Sequence, residues 1–276
     1  MIDGLLLALP LRARISLDFF RHQEKFPRLD SPRTFSEKIA RRKLFDRDPR
    51  MPLLSDKILV KQHVMEVLGA EWVIPTLWSG EKLPPRSERN WPIPYVLKAN
   101  HGSSWNIFVR SEEDQDWDQI EKLTQSWLKT TFGQVYGEWL YTQIKPGLLV
   151  EPFVGTEGIA PPDYKLFVFA GRTELIQVDL DRLQKHRQFF YDTKWNRQPI
   201  TYVCPYDWEE IEPPASLAKM ISAADLLGAH FPFVRIDLYE IGGKPKFGEF
   251  TFYPNSGNVP FKPESVELEL GRLWLG

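Results

Sequence analysis

PFVRIDLYEIGGKPKFGEFTFYPNSG, residues 232–257, is the stretch on which the reading of this chain turns. Phe233, Arg235, Asp237 and Tyr239 alternate with Val234, Ile236 and Leu238, so one strand presents Arg235 and Asp237 on the same face. Gly242-Gly243 marks a turn, and a second strand returns with Glu249 and Thr251. A strand interior rarely carries an arginine and two carboxylates without a partner that neutralises them. Two carboxylates converging beside an arginine suit a hard divalent cation that also holds phosphate oxygens. The competing reading is a hairpin with one solvated face. Pairing geometry separates the two. A plain two-residue loop at Gly242-Gly243 pairs Asp237 with Gly248 and sends Glu249 to the opposite face. The metal reading therefore requires a loop of odd length or a bulge, and it takes the Gly242-Gly243 turn as something other than a plain two-residue loop.

The 276 residues suffice for one large domain or two to three small lobes. A formal charge of −2 gives no reason to expect a nucleic-acid partner. Cys204 is the only cysteine, which excludes an intrachain disulfide and a cysteine zinc cluster and fits a reducing compartment. The apolar run from Gly4 to Leu11 is too short to span a bilayer, and Asp3 stands where a secretory signal carries positive charge. It reads as a segment packed on the domain, with a weak membrane-surface contact as the alternative. Ten tryptophans, nine tyrosines and 18 phenylalanines supply large apolar or sugar-stacking surfaces.

Upstream of the hairpin, residues 12–54 read as basic and helical. Thr34 and Glu37 have capping-box spacing ahead of a helix running to about Asp46. Ser55-Asp56 reads as the start of the next helix, which stops at Gly69. That start puts Lys57 in the first turn, where a cation opposes the macrodipole and a bound anion would welcome both. Val73 to Trp78 reads as a strand, and the Pro-, Glu- and Arg-rich residues 80–94 as a lobe boundary. In PYVLKANHGSSWNIFVRS two strands flank a small-residue loop at 100–106, with Lys98 beside it; such a loop offers backbone N–H groups and hydroxyls to a phosphate. Residues 115–132 form an amphipathic helix with Trp117, Ile120, Leu123, Trp127 and Leu128 on one side. GLLVEPFV (147–154) is a strand, residues 164–181 a hairpin turning at Gly171-Arg172, residues 189–192 a short strand, and residues 215–227 a helix.

No HExxH, CxxC pair, GxSxG or Walker lysine motif is present. The five histidines are scattered, and only His101 sits inside the small-residue loop. What remains is two lysines on separate elements, a small-residue loop, an acidic strand at Glu151, and a late hairpin with Arg-x-Asp and Glu-x-Thr. The stretches FSEKIARRKLFDRDPRMPLLSDK, YVLKANHGSSWN, DYKLFVFAGR, QVDLDRLQKHRQFFYDTKWNR, FPFVRIDLY and GEFTFYPNSG together resemble the TupA-like family of ATP-grasp proteins, linked to bacterial cell-surface polysaccharide synthesis.

The resemblance implies an α/β ATP-grasp fold with α+β lobes, the nucleotide lying between the central and C-terminal lobes. The lobes would be residues 1–90, 91–150 and 151–276. Lys57, Lys98 and Lys165 would hold ATP, with Gly102, Ser103 and Ser104 closing over the phosphates. Glu151 to Phe153 would form the hinge against adenine, and Asp163 would meet the ribose. Asp237 and Glu249 would bind Mg²⁺, while Arg235 with Lys98 would steady charge during catalysis. His101, Arg182, Arg187, Asn255, Ser256 and Gly257 would face the substrate. Two positions depart from the expected pattern: Thr251 stands where many ATP-grasp enzymes carry Asn, and Ser104-Trp105 stands where glycines are expected.

The implied activity is ATP- and Mg²⁺-dependent ligation of a carboxylate to an amine through an acyl phosphate, joining an amino acid to a uronic-acid-type sugar or glycan acceptor. The implied location is the cytoplasm, at the inner face of the membrane. A glycosyltransferase using a nucleotide-sugar, and a non-catalytic glycan-binding module with Trp105 in its surface, are the rival readings.

Overall fold

A computed structural model describes residues 6–155, 159–181 and 185–275. The helices are α1 (Leu11–Gln23), α2 (Phe35–Phe45), α3 (Arg50–Ser55), α4 (Val60–Leu68), α5 (Trp117–Lys129), α6 (Leu217–Gly228) and α7 (Glu264–Leu273). The strands are β1 (Trp78–Gly80), β2 (Tyr95–Ala99), β3 (Asn106–Val109), β4 (Leu148–Pro152), β5 (Asp163–Phe169), β6 (Arg172–Leu180), β7 (Arg187–Tyr191), β8 (Val234–Ile241) and β9 (Lys244–Thr251). They form two antiparallel sheets, ordered β1-β4-β2-β3 and β7-β6-β5-β8-β9, in a mixed α/β fold.

The capping box at α2 forms as the spacing predicts: the Glu37 amide donates to Thr34 Oγ1 at 3.2 Å, and the Thr34 amide to Glu37 Oε2 at 3.1 Å. Helix α2 then carries Phe35 into the aromatic core, edge-on to Phe233 at 4.8 Å and beside Phe167, Phe261 and Trp274. Each such phenylalanine, fully buried, contributes about 2–3 kcal/mol. A second, tryptophan-rich core lies against the four-stranded sheet, with α5 turning Ile120, Thr124 and Trp127 inward. Leu123, placed on that stripe by the spacing, is instead exposed.

Four other expectations shift. Helix α4 begins at Val60, because the Asp56 carboxylate accepts from the amides of Ile58 and Leu59 and holds a turn there. Lys57 thus lies in the capped turn that leads into α4, where the Val60 amide donates to the Asp56 carbonyl oxygen at 2.9 Å. Of residues 73–78, only Trp78 joins a ladder, in β1. The β5–β6 hairpin turns one residue early, at Ala170-Gly171, both with positive φ. In the N-terminal run, Leu6 is buried while Leu7 and Leu9 are exposed. No helix among the described residues is long and apolar enough to cross a membrane.

The β8–β9 hairpin answers the register question. Ile241 pairs with Lys244, so Gly242-Gly243 is a plain two-residue loop after all, with φ of 57° and 71° as a primed turn demands. The shift comes further down: Leu238 pairs with Phe247 and Asp237 with Glu249, leaving Gly248 as an extra residue. That bulge puts Asp237 and Glu249 opposite each other on one face. Only glycine fits at 248, since a Cβ there would lie 2.9 Å from the Asp237 carbonyl oxygen and 3.0 Å from the Tyr239 ring.

Candidate nucleotide and metal site

Between the two sheets lies a cavity of about 390 Å³. Val96, Ile74, Phe108, Phe153 and Phe247 give it an apolar end, with Phe108 and Phe153 meeting edge to face at 6.0 Å. Lys57, Lys61, Lys98 and Glu151 line one polar wall, and Asp163, Asp237 and Glu249 the other. An apolar slot running into opposed charges suits a ligand with a flat ring at one end and phosphates at the other.

On the first wall, neighbouring strands place Glu151 beside Lys98: Val96 pairs with Glu151 across β2 and β4, and Lys98 is two residues along on the same face. Glu151 takes Lys98 Nζ at 2.5 Å on one oxygen and Lys61 Nζ at 2.5 Å on the other. Burial works to raise its pKa, but the two lysines hold it below the ordinary glutamate value. Lys57 Nζ donates to the Gly102 carbonyl oxygen at 2.6 Å and so ties the small-residue loop to the start of α4. Burial lowers the pKa of both Lys57 and Lys61. Ser103 and Ser104 stand exposed in the cavity mouth. Trp105 folds back and stacks on Trp127, centroids 6.2 Å apart with planes 2° off parallel. It therefore anchors the loop to the protein interior.

The second wall is one face of the five-stranded sheet. Gln177, Lys165, Asp237 and Glu249 form a continuous cross-strand row, and Asp179, Asp163 and Tyr239 form the next. Arg235 grips Asp237 with two donors at 2.7 and 2.6 Å and reaches Thr251 Oγ1 at 3.1 Å. Thr251 Oγ1 in turn donates to Glu249 Oε1 at 3.1 Å, so this threonine orients a carboxylate. Lys165 contacts Asp163, lies 3.1 Å from Asp179 and 3.8 Å from Asp237. Burial, opposed by Arg235 and Lys165 and reinforced by Asp163 and Glu249, pushes the Asp237 pKa up to about 6.

That raised value tests the fit of a cation. Four carboxylates converge on two buried cations, and a carboxylate held at such a value is one that a further positive charge would return to its ionised form. Oxygen donors of this type suit Mg²⁺, which binds through one or two carboxylates plus phosphates and water. Among the described residues no three His, Cys, Asp or Glu side chains come together to hold a metal by themselves; phosphate oxygens and water would complete the shell of a Mg²⁺ on Asp237 and Glu249.

The proposed substrate residues fare differently. His101 is buried away from the cavity, its Nδ1 3.0 Å from Asn100 Oδ1 and Nε2 3.1 Å from the Trp127 carbonyl oxygen, and burial lowers its pKa; it is a packing residue. Arg187 has its guanidinium on Asp181, at 2.8 and 3.0 Å, and on Glu209. That leaves it poorly placed to grip a substrate anion. Asn255 is exposed, whereas Ser256 and Gly257 accept hydrogen bonds from Lys43 and Gln23 and so fix the chain against α1 and α2. Arg182 lies outside the described residues. Two residues of the site escaped sequence reasoning. Lys61 follows Lys57 by four residues, a spacing that could have flagged it; Asp179 in β6 gave no signal beyond being a charge in an apolar strand.

Two antiparallel sheets thus enclose a cleft with a lysine-rich wall and a carboxylate-rich wall. The sequence model of the TupA-like ATP-grasp family matches residues 37–275, and the chain belongs to that family. Among solved structures, the chain is similar to D-alanine–D-alanine ligase from Helicobacter pylori, at 17% identity over 81% of this chain and 62% of that one, TM-score 0.47. It is also similar to the corresponding ligase from Bacillus anthracis, at 14% over 74% and 58%, TM-score 0.44. The L-amino acid ligase from Bacillus licheniformis matches at 14% over 71% and 43%, TM-score 0.42. The chain spans less than two thirds of the length of each of these ligases. No curated protein sequence matches it.

Proposed function

We propose that this protein is an ATP- and Mg²⁺-dependent carboxylate–amine ligase. The observation that carries the reading is the cavity itself, with Lys61 and Lys98 on one wall, Asp237 and Glu249 on the other, and Lys57 reaching to within 3.9 Å of Glu249 where the walls meet. A carboxylate oxygen of the substrate attacks the γ-phosphorus of ATP and ADP leaves; an amine then attacks the acyl carbon and phosphate departs. The lysines offset the phosphoryl charge, and the cleft walls exclude water. Mg²⁺, held by Asp237 and Glu249, would neutralise charge shared between the phosphates. Arg235 fixes Asp237 in place from behind.

Family membership supports a narrower version: a uronic-acid-type sugar and an amino acid joined as an amide in bacterial cell-surface polysaccharide synthesis, on the cytoplasmic side of the membrane. The test is ATP turnover with a panel of uronates and amino acids, with and without Mg²⁺, for wild type and Lys98→Ala. We expect ADP and phosphate only with a matched acid and amine, loss of turnover on removing Mg²⁺, and a fall of about a hundredfold or more in the variant. Failure to bind nucleotide at millimolar ATP and Mg²⁺ overturns the reading.

A further inference from the structure

Helix α1 is apolar on two faces. Leu11, Ile15 and Phe19 turn inward and pack with Leu29 and Ala40 in a third, small core. Two polar contacts hold the helix in that seat: Asn258 Nδ2 donates to Asp18 Oδ2 at 2.8 Å, and Gln23 Nε2 donates to the Gly257 carbonyl oxygen at 3.0 Å. Leu17 and Phe20, three residues apart on the other side, are therefore left in water. Phe20 stacks at 4.7 Å on Phe26, which is 63% exposed. The same surface continues onto α7. Lys25 Nζ lies 3.4 Å from Glu264 at the start of that helix, and Leu268 and Arg272 follow four and eight residues on, along one face. Those two side chains border an open hollow of about 640 Å³ that Arg33, Lys38, Trp274 and the exposed Leu275 complete. Three cations and, among the described residues, no carboxylate line it.

We propose that this surface, from Phe20 and Phe26 to the hollow at Arg272, seats the protein on an anionic lipid bilayer. The proposal is independent of the ligase reading. Charge selects the occupant. Of the exposed carboxylates on residues 11–33 and on α7, Asp30 is held by Arg12 and Glu264 by Lys25. That leaves Glu24 and Glu269 against Arg14, Arg21, Arg33 and Arg272, whose guanidinium groups form no ion pair among the described residues. Apolar side chains interleaved with arginines match the boundary of a bilayer: the rings and leucines enter the acyl edge, while the guanidinium groups take lipid phosphates bidentately. A second copy of the chain fits less well, because a twofold contact brings the same surplus of cations onto itself.

The experiment is co-sedimentation of the purified protein with vesicles of phosphatidylcholine alone, and of phosphatidylcholine with about one third phosphatidylglycerol. We expect partition into the anionic vesicles to exceed that into the neutral ones by about tenfold or more at low salt, and to fall about tenfold between about 0.1 and 0.5 M NaCl. Arg21→Gln with Arg272→Gln should lower it about tenfold, and Phe20→Ala with Phe26→Ala by a similar factor. Both pairs replace exposed side chains and should keep the urea midpoint of wild type. The lipid and salt dependence of the unaltered chain tests the charge without any variant. Equal partition into the two kinds of vesicle, or into neither, overturns the proposal, as does binding that neither pair of substitutions weakens. Dimers in sedimentation equilibrium that Phe20→Ala with Phe26→Ala abolishes, with no vesicle bound, overturn it too and assign the patch to a second copy.

Discussion

On the wall built from the four-stranded sheet, one carboxylate, Glu151, sits between two ammonium groups. On the wall built from the five-stranded sheet, two buried cations, Lys165 and Arg235, sit among four carboxylates. Both acids are buried, yet the pKa of Glu151 falls below its ordinary value and that of Asp237 rises to about 6. Desolvation acts the same way on each, so the difference comes from the charges beside them. The first wall has positive charge to spare, which suits phosphate oxygens; the second has negative charge to spare, which suits a cation. A phosphate–metal pair between them would satisfy both.

The largest expected break in that comparison is Asp237→Asn, which removes charge from the acidic wall while keeping shape. We expect ATP turnover to drop on the order of a thousandfold, with nucleotide binding in the absence of Mg²⁺ little changed. Equal loss of both, measured by turnover and by calorimetry, would show that Asp237 holds the fold and not a cation. Gly248→Ala attacks the same wall through the backbone. The added Cβ meets a backbone oxygen at 2.9 Å, so the bulge must yield at about 1–3 kcal/mol in urea unfolding, with a turnover loss of about tenfold or more as Glu249 swings away. An unchanged turnover would dismiss the bulge as the device that sets the site. Lys61→Met tests the basic wall and should act least. With Lys61 gone, Glu151 is left to Lys98 alone, which weakens the hold of Lys98 on phosphate; nucleotide dissociation should rise about five- to tenfold. No change would make Lys61 only an anchor to the Ile74 carbonyl oxygen and Thr76.

Much of this site was legible because strand periodicity is local. Alternation alone set Arg235 and Asp237 on one face, and apolar runs marked β2, β4, β5 and β6 with the correct order of elements. The bulge is not legible in the same way: a shift at Gly248 leaves the spacing of the flanking apolar residues intact, so alternation does not distinguish it from an unusual turn at Gly242-Gly243. Nearness to a motif in sequence does not place a side chain in the site. His101 sits in the small-residue loop but turns inward to Asn100 and the Trp127 carbonyl.

The sequence by itself determined which chemical groups the late hairpin carries and which of them alternate together, since those depend on covalent order and the two-residue period of a strand. Only the tertiary structure decided their electrostatic state. Glu151 meets lysines 53 and 90 residues before it in the chain, and Asp237 shares Lys165 with an aspartate from a third strand. Whether a buried carboxylate is stabilised or starved of positive charge depends on neighbours brought in from distant segments, and no local pattern encodes that sum.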